Sequence, residues 1–185
     1  MAPSKHLVLV CGFARAGKDT FAKGIVASAK DAKRVAFADS LKYALETAAH
    51  NVGLKVDYFT DADKLQDRDL LVEFGRAMRR RDKDIFAKAI GNYVADLTDG
   101  QTLVVSDWRY INEYEAAKNY CDMYGVSLHA VHIVRHGWRA ANDEEAMSLV
   151  EIMAAIPFDE TVYATSGDEE GVLLHGIRIA KLWHL

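Results

Sequence analysis

The chain has 185 residues, of which 50% are apolar and 27% charged, and a formal net charge of −4. That length suits one domain with a full core, and the acidic balance argues against non-specific nucleic-acid binding. Cys11 and Cys121, the only cysteines, form neither a disulfide framework nor a metal-ligand spacing, and no apolar run approaches membrane-spanning length.

The first element is "HLVLVC" (6–11), a short apolar β-branched run of the kind expected for a buried parallel strand. "GFARAGKDT" (12–20) follows and nearly spells the phosphate loop G-x-x-x-x-G-K-[ST], with Asp19 where a Ser or Thr would normally sit. Such spacing arises by chance in roughly one chain in twenty of this length, so context decides. The next stretch, "KDTFAKGIVASAK", places Phe21, Ile25, Val26 and Ala29 at helical spacing. Strand, glycine loop and helix in that order are the context a phosphate loop requires. The loop also starts too early to leave room for a signal peptide, so an intracellular, cytoplasmic protein is expected, in a host's cytoplasm if the chain is viral.

"RVAFA" (34–38) reads as a second strand. A helix follows with Leu41, Ala44, Leu45, Ala48, Ala49 and Val52 on one face and Asp39 or Ser40 as its N-cap. The polar stretch "DYFTDADKLQDRD" crosses to a helix carrying Leu70, Leu71, Phe74, Ala77 and Met78. "DIFAKAIGNYVADL" continues the helical period, with Asp84 as a possible cap. "TLVVSD" (102–107) is a third strand ending in an acid, and "YINEYEAAKNYCDMYG" is a helix stopped by Gly125. "SLHAVHIVRHG" is a fourth strand, "NDEEAMSLVEIMAAI" a capped helix, "ETVYATS" a fifth strand and "EEGVLLHGIRIAKLW" a closing helix. The alternation predicts an α/β fold, a five-stranded and mostly parallel sheet covered by helices on both faces. Ligands of such sheets bind at the carboxyl ends of the strands, which gathers 12–20, Asp39, 107–109 and 135–139 around one crevice.

Gly12 and Gly17 allow a strained loop whose amides wrap an anion. Lys18 supplies a mobile cation for the β- and γ-phosphates, and Arg15 offers another. Asp107, at a strand end, either holds a Mg²⁺ water, bonds substrate or caps the following helix. Arg109 suits a bidentate phosphate grip. "RAMRRRDKD" (76–84) is a basic cluster in which Arg79, Arg80 or Arg81 anchors an anion, unless the run is a solvated helix end. Arg135 and Arg139 follow the fourth strand, where arginines on a mobile segment close over transferring phosphates, and the bland alternative is a polar surface loop. The seven histidines form no metal-binding pattern.

These pieces, with "FADSLKYAL" at 37–45, "RDLLVEFG" at 68–75, "DIFAKAI" at 84–90, "VVSDWRYINEYEAA" at 104–117, "HIVRHG" at 132–137 and "VYATSGDEEGV" at 162–172, resemble phage-type deoxynucleoside monophosphate kinases of the phosphate-loop superfamily. Similar loop, helix and strand-end pieces also occur in animal-type phosphomevalonate kinases. The resemblance implies ATP with Mg²⁺ at the phosphate loop and a nucleoside monophosphate, in this family deoxy, accepted from the other side. It implies ATP contacts from Gly12, Arg15, Ala16, Gly17, Lys18, Asp19 and Thr20. It implies acceptor contacts from Asp39, Lys42, Arg68, Arg80, Asp107 and Arg109, and catalytic roles for Lys18, Asp107 and the lid-side Arg135. Asp19 is expected to meet Mg²⁺ directly or through water, and the Thr20 hydroxyl to meet the α-phosphate.

The expectation is one kinase domain over 1–185, with a helical acceptor-binding insertion at about 40–98 and a lid at about 135–156. It acts as a monomer or homodimer, with no nucleic-acid or membrane partner. A phosphate-loop switch without an acceptor is the alternative class. "DMYG" at 122–125 mimics a GTPase D-x-x-G but has no strand before it, and no N-K-x-D accompanies it.

Overall fold

The computed structural model describes residues 4–185. Five strands, β1 (Lys5–Cys11), β2 (Ala32–Val35), β3 (Thr102–Val105), β4 (Val126–Arg135) and β5 (Glu160–Ala164), form one sheet in the order β2-β3-β1-β4-β5. Every neighbouring pair is parallel, with Leu7 opposite both Leu103 and Leu128. Because side chains alternate along β1, Leu7, Leu9 and Cys11 face one layer and Val8 and Val10 the other. Both sets are fully buried, which accounts for the unbroken apolar run of this strand.

Helices α1 (Lys18–Ser28) and α8 (Glu169–Leu182) cover the Val8 face, where Phe21, Ile25, Val172 and Ile179 pack. They approach so closely that a Cβ on Gly24 would strike the Leu173 carbonyl, and one on Gly176 the Phe21 carbonyl. The other face is covered by α5 (Ile90–Ala95), α6 (Ile111–Tyr124) and α7 (Asp143–Ala155). Trp108 sits at its centre, 0% exposed, stacked on Tyr114 and edge-on to Phe158. α6 ends at Gly125 in the left-handed conformation, the stop its sequence announces.

The segment between β2 and β3 departs from expectation in four places. α2 (Asp39–Asn51) is capped by neither Asp39 nor Ser40. Ala38 holds the cap position, Asp39 Oδ2 accepts from the Ala36 amide, and the Ser40 hydroxyl donates to the Phe37 carbonyl. Of the apolar face assigned to α2 only Leu41 is buried, and Val52 is exposed. The polar crossing contains a short helix, α3 (Asp61–Gln66), started by the Thr60 hydroxyl accepting from Asp63 N. Finally, the period after Asp84 breaks into a 3₁₀ turn (Ala87–Ala89) followed by α5, and Asp84 accepts from the Asn112 side chain instead of capping. α2 and α4 (Arg68–Arg81) line an open cavity, which leaves part of their apolar residues exposed.

Candidate active site

The loop after β1 turns through Gly12 at φ 141° and Gly17 at φ 106°, both in the region glycine favours. A Cβ on Gly12 would collide with the Ile133 carbonyl of β4, so the chain can pass here only without a side chain. Ala16 is buried and donates its amide to the Phe13 carbonyl. Arg15 is left-handed at φ 62° and exposed, and it lines neither of the two cavities described below. Lys18 opens α1 and folds back over the loop, its Nζ donating to the carbonyls of Gly12 at 2.7 Å and Phe13 at 2.8 Å. Burial lowers its pKa, the nearby Arg109 charge adds to that, and Glu145 and Asp19 oppose it. Lys18 and Arg109 are therefore close enough for their charges to repel, although only Arg109 lines the main cavity described below.

Three side chains, from the end of β4 to the first turn of α7, grip the loop. Arg135 Nη1 donates to the Arg15 carbonyl, Trp138 Nε1 donates to the Ala14 carbonyl, and Glu145 Oε1 accepts from the Ala14 amide, each at 2.7 Å. The Arg135 guanidinium lies 4.4 Å over the Trp138 ring and also donates to Ser166 Oγ, while its Nε is buried without a partner. Arg135 and Thr20 line a small crevice beside Gly17, closed by Thr165 and Val172. Arg139 is exposed and lines neither this crevice nor the main cavity.

Asp19 is committed to neighbours that the sequence reading did not single out. Its Oδ1 accepts from the Ser106 hydroxyl at 2.6 Å and from Arg34 Nε at 3.0 Å. Burial works against ionisation, but Ser106 and Arg34 outweigh it and hold the carboxyl below its ordinary value. Among the described residues Oδ2 makes no hydrogen bond, and no group of three or more His, Cys, Asp or Glu is placed to hold a metal. One free, hard carboxylate oxygen still fits Mg²⁺, which keeps most of its waters and needs few protein ligands.

Asp107 is not a cap for the helix that follows it. Its Oδ1 and Oδ2 accept from the amides of Phe37 at 2.9 Å and Ala38 at 3.0 Å, so the end of β3 caps the start of α2. Burial raises its pKa against those amides and the Arg109 charge. Beside it Glu113 is 3% exposed, and its Oε2 accepts from the amides of Arg109 and Tyr110.

These groups wall a cavity of about 300 Å³ that begins at Ala14 of the loop. α4 contributes Arg68, Arg76 and Arg79, the β3–α6 connection contributes Asp107 and Arg109, α6 contributes Glu113, and α2 contributes Lys42. α7 closes it with Glu144 and Glu145, and Arg76 spans to Glu144 at 3.5 Å. Of the three consecutive arginines, Arg79 lines the cavity, packed 5.1 Å from the Phe86 ring and 4.9 Å from that of Tyr110. Arg80, the expected contact, is exposed and lies outside, because adjacent helix positions point about 100° apart. Asp39 also lies outside the lining. It holds the β2–α2 turn and pairs with Lys42 at 3.0 Å.

Sequence reading missed Arg34, Ser106, Arg76, Glu113 and Glu145. Arg76 and Ser106 lie inside the basic cluster and the "SD" strand end, so those two had a signal. Arg34 and Glu145 depend on partners 15 and 131 positions away, and Glu113, bonded to amides three and four positions back, reads in sequence as an ordinary first-turn acid.

No family model matches the chain, and no curated sequence does. Solved structures do match. The Mycobacterium tuberculosis APS kinase CysC in complex with AMPPNP and APS aligns at TM-score 0.51 and 12% identity, covering 99% of each chain. A cysteine-to-alanine mutant of the same enzyme aligns at 0.51 and 14% identity, covering 97% of this chain and 99% of that one. A sugar kinase from Janibacter aligns at 0.48 and 14% identity, covering 98% of this chain and 94% of that one. The two APS kinase alignments show that this chain shares their α/β fold, with a five-stranded parallel sheet between helices.

Proposed function

We propose that the protein transfers the γ-phosphoryl group of ATP to a nucleoside monophosphate, a deoxynucleotide by the resemblance of its sequence, and releases ADP and a nucleoside diphosphate. The observation that carries this reading is a glycine loop, bridged by its own Lys18, that meets through Ala14 a cavity lined by Arg68, Arg76, Arg79 and Arg109. A switch that only hydrolyses nucleotide has no use for four arginines lining an open cavity beside the loop. Two phosphorylated substrates, brought end to end, do need them. The fold-sharing APS kinase, solved with AMPPNP and APS together, supports two nucleotide-like ligands on such a framework.

In this reading the loop amides and Lys18 hold the polyphosphate, releasing the Nζ bonds to Gly12 and Phe13. Thr20 and the spare Nε of Arg135 flank the donor side. Mg²⁺ arriving with ATP would lie near Asp19 Oδ2 and supplies charge neutralisation along the phosphates. Arg109, its backbone fixed by Glu113, and Arg79, clamped between two rings, grip the acceptor phosphate. The acceptor oxygen is already anionic near neutral pH, so positioning and electrostatics carry the reaction without a strong base.

The test is an ADP-release assay with ATP and Mg²⁺ across the common nucleoside and deoxynucleoside monophosphates and phosphomevalonate, with Lys18→Met as the control. Release that depends on one monophosphate and vanishes in the variant is expected. Release unaffected by any acceptor would favour the switch class, and release only with phosphomevalonate would reassign the acceptor.

A further inference from the structure

The cavity wall poses an electrostatic problem. Asp107 and Glu113 are neighbouring carboxyl groups in a surface meant for an anion. Their hydrogen bonds differ. Asp107 uses both oxygens, one for each amide of Phe37 and Ala38. Glu113 gathers the amides of Arg109 and Tyr110 on Oε2 alone, and Oε1 has no partner among the described residues. The one unpartnered oxygen of the pair thus belongs to a side chain 3% exposed that lines the cavity.

We propose that Glu113 is a specificity residue that binds the acceptor as a neutral acid, donating a hydrogen bond from Oε1 to an oxygen of the acceptor phosphate. The proposal rests on the acceptor reading above. Two carboxylates and a phosphate dianion in one buried space repel, and a proton on one carboxyl turns that contact into an attraction. Burial raises Asp107 as well, but both its oxygens already accept amides and leave no oxygen turned to the acceptor, so Glu113 is the member placed to carry the proton. Burial and the Asp107 charge push Glu113 up to about 8, against the two amides and the Arg79 charge. The groups facing it are Asp107, Arg109 and Tyr110 from the β3–α6 connection and Arg79 from α4. Glu144 of α7 is one step removed, through the Tyr110 hydroxyl. A neutral donor among arginines favours a phosphate that brings its full charge. It also makes acceptor affinity fall as the acid ionises.

The experiment is calorimetric titration of the full chain with each of the four common deoxynucleoside monophosphates in turn, from pH 7 to 9.5, for wild type and Glu113→Gln. Above pH 7 the phosphate is already a dianion, so its own titration drops out. The wild type should lose at least about tenfold in affinity across this range, as the protonated fraction falls. Glu113→Gln, with a permanent amide donor, should show no such decline. A second measurement needs no variant: the infrared carbonyl band of a protonated carboxyl should be present in wild type at pH 7, vanish by pH 9.5 and shift when a monophosphate is added. Wild-type affinity independent of pH, an equal decline in Glu113→Gln, or a carboxyl band that ignores the monophosphate would each overturn the proposal alone. Failure of wild type to bind any of the four at any pH would overturn it together with the acceptor reading.

Discussion

Glu145, in the first turn of α7, accepts the amide of Ala14 in the phosphate loop at 2.7 Å, across 131 positions of sequence. Its second oxygen holds the Ala141 amide, so the carboxylate is fixed against the loop on the side where Lys18 feels its charge. A negative charge there competes with an incoming polyphosphate for the same donors. Glu145→Gln keeps an acceptor for Ala14 at the expense of the bond to Ala141, and removes the charge. ATP should bind the variant several-fold more tightly, about 1 kcal/mol for one charge near a protein surface. Calorimetry without acceptor measures this, and weaker ATP binding would show that the carboxylate supports the loop instead of competing with its ligand.

Asp19 and Arg34 should move the Mg²⁺ requirement in opposite directions. Arg34 draws Asp19 Oδ1 away from any cation and partly neutralises it. Arg34→Ala should lower the Mg²⁺ concentration for half-maximal activity, and Asp19→Asn should raise it. Both groups are well exposed, so loss of the pair should cost under about 1 kcal/mol of stability. Mg²⁺ titrations that coincide for both variants and wild type would leave Asp19 with only its place at the start of α1.

What could be read in advance follows the range of the interactions. The loop was legible because Gly12, Gly17 and Lys18 act through local backbone geometry and one short side-chain reach. The sheet was legible because β1, β3 and β4 carry apolar residues on both faces. Asp107 was recognisable as a strand-end acid, but not as a cap for α2, since its two donors lie 69 and 70 positions back. The faces of α2 and α4 misled because helical period reports an apolar stripe without saying whether it meets a core or a cavity. Glu145 reads in sequence as an ordinary acid in a helix's first turn.

Acid should loosen the end of the molecule opposite the loop. His6 Nδ1 and His129 Nε2 lie 3.1 Å apart, and the Trp183 ring stacks on His129 at 4.4 Å. Burial lowers His129 to about 4, with the His6 ring adding to it and Asp159 opposing. His6 is lowered by burial as well. An unfolded histidine takes its proton near pH 6.5, so between about 4 and 6.5 the unfolded chain binds more protons than the folded one. This contribution is complete above the unfolded value and is lost as pH falls toward the folded one. The thermal midpoint should therefore drop between pH 7 and pH 5, and His129→Phe, which keeps a ring under Trp183, should reduce the drop. An equal drop in the variant would place the acid sensitivity elsewhere.

The arginines of α4 allow the sharpest test of the acceptor site, because neighbours in sequence differ in place. Arg79 lines the cavity between Phe86 and Tyr110, with its planar group held before any ligand arrives. Arg80 is exposed and outside. A phosphate gripped by a preorganised guanidinium gains charge-assisted bonds worth roughly 1.5–3 kcal/mol each. Arg79→Ala should therefore raise the KM for the monophosphate by about ten- to a hundredfold, and Arg109→Ala and Arg68→Ala should act in the same direction. Arg79→Lys should recover little, since an ammonium neither stacks between the rings nor forms paired bonds. Arg80→Ala should leave both Michaelis constants near wild type. ATP should be affected less than the acceptor in every case, because the loop proposed to hold it meets the cavity only through Ala14, away from the arginines of α4. Steady-state kinetics with both substrates varied separates these outcomes. A larger effect at Arg80 than at Arg79 would mean that α4 turns its other face to the acceptor when substrate binds.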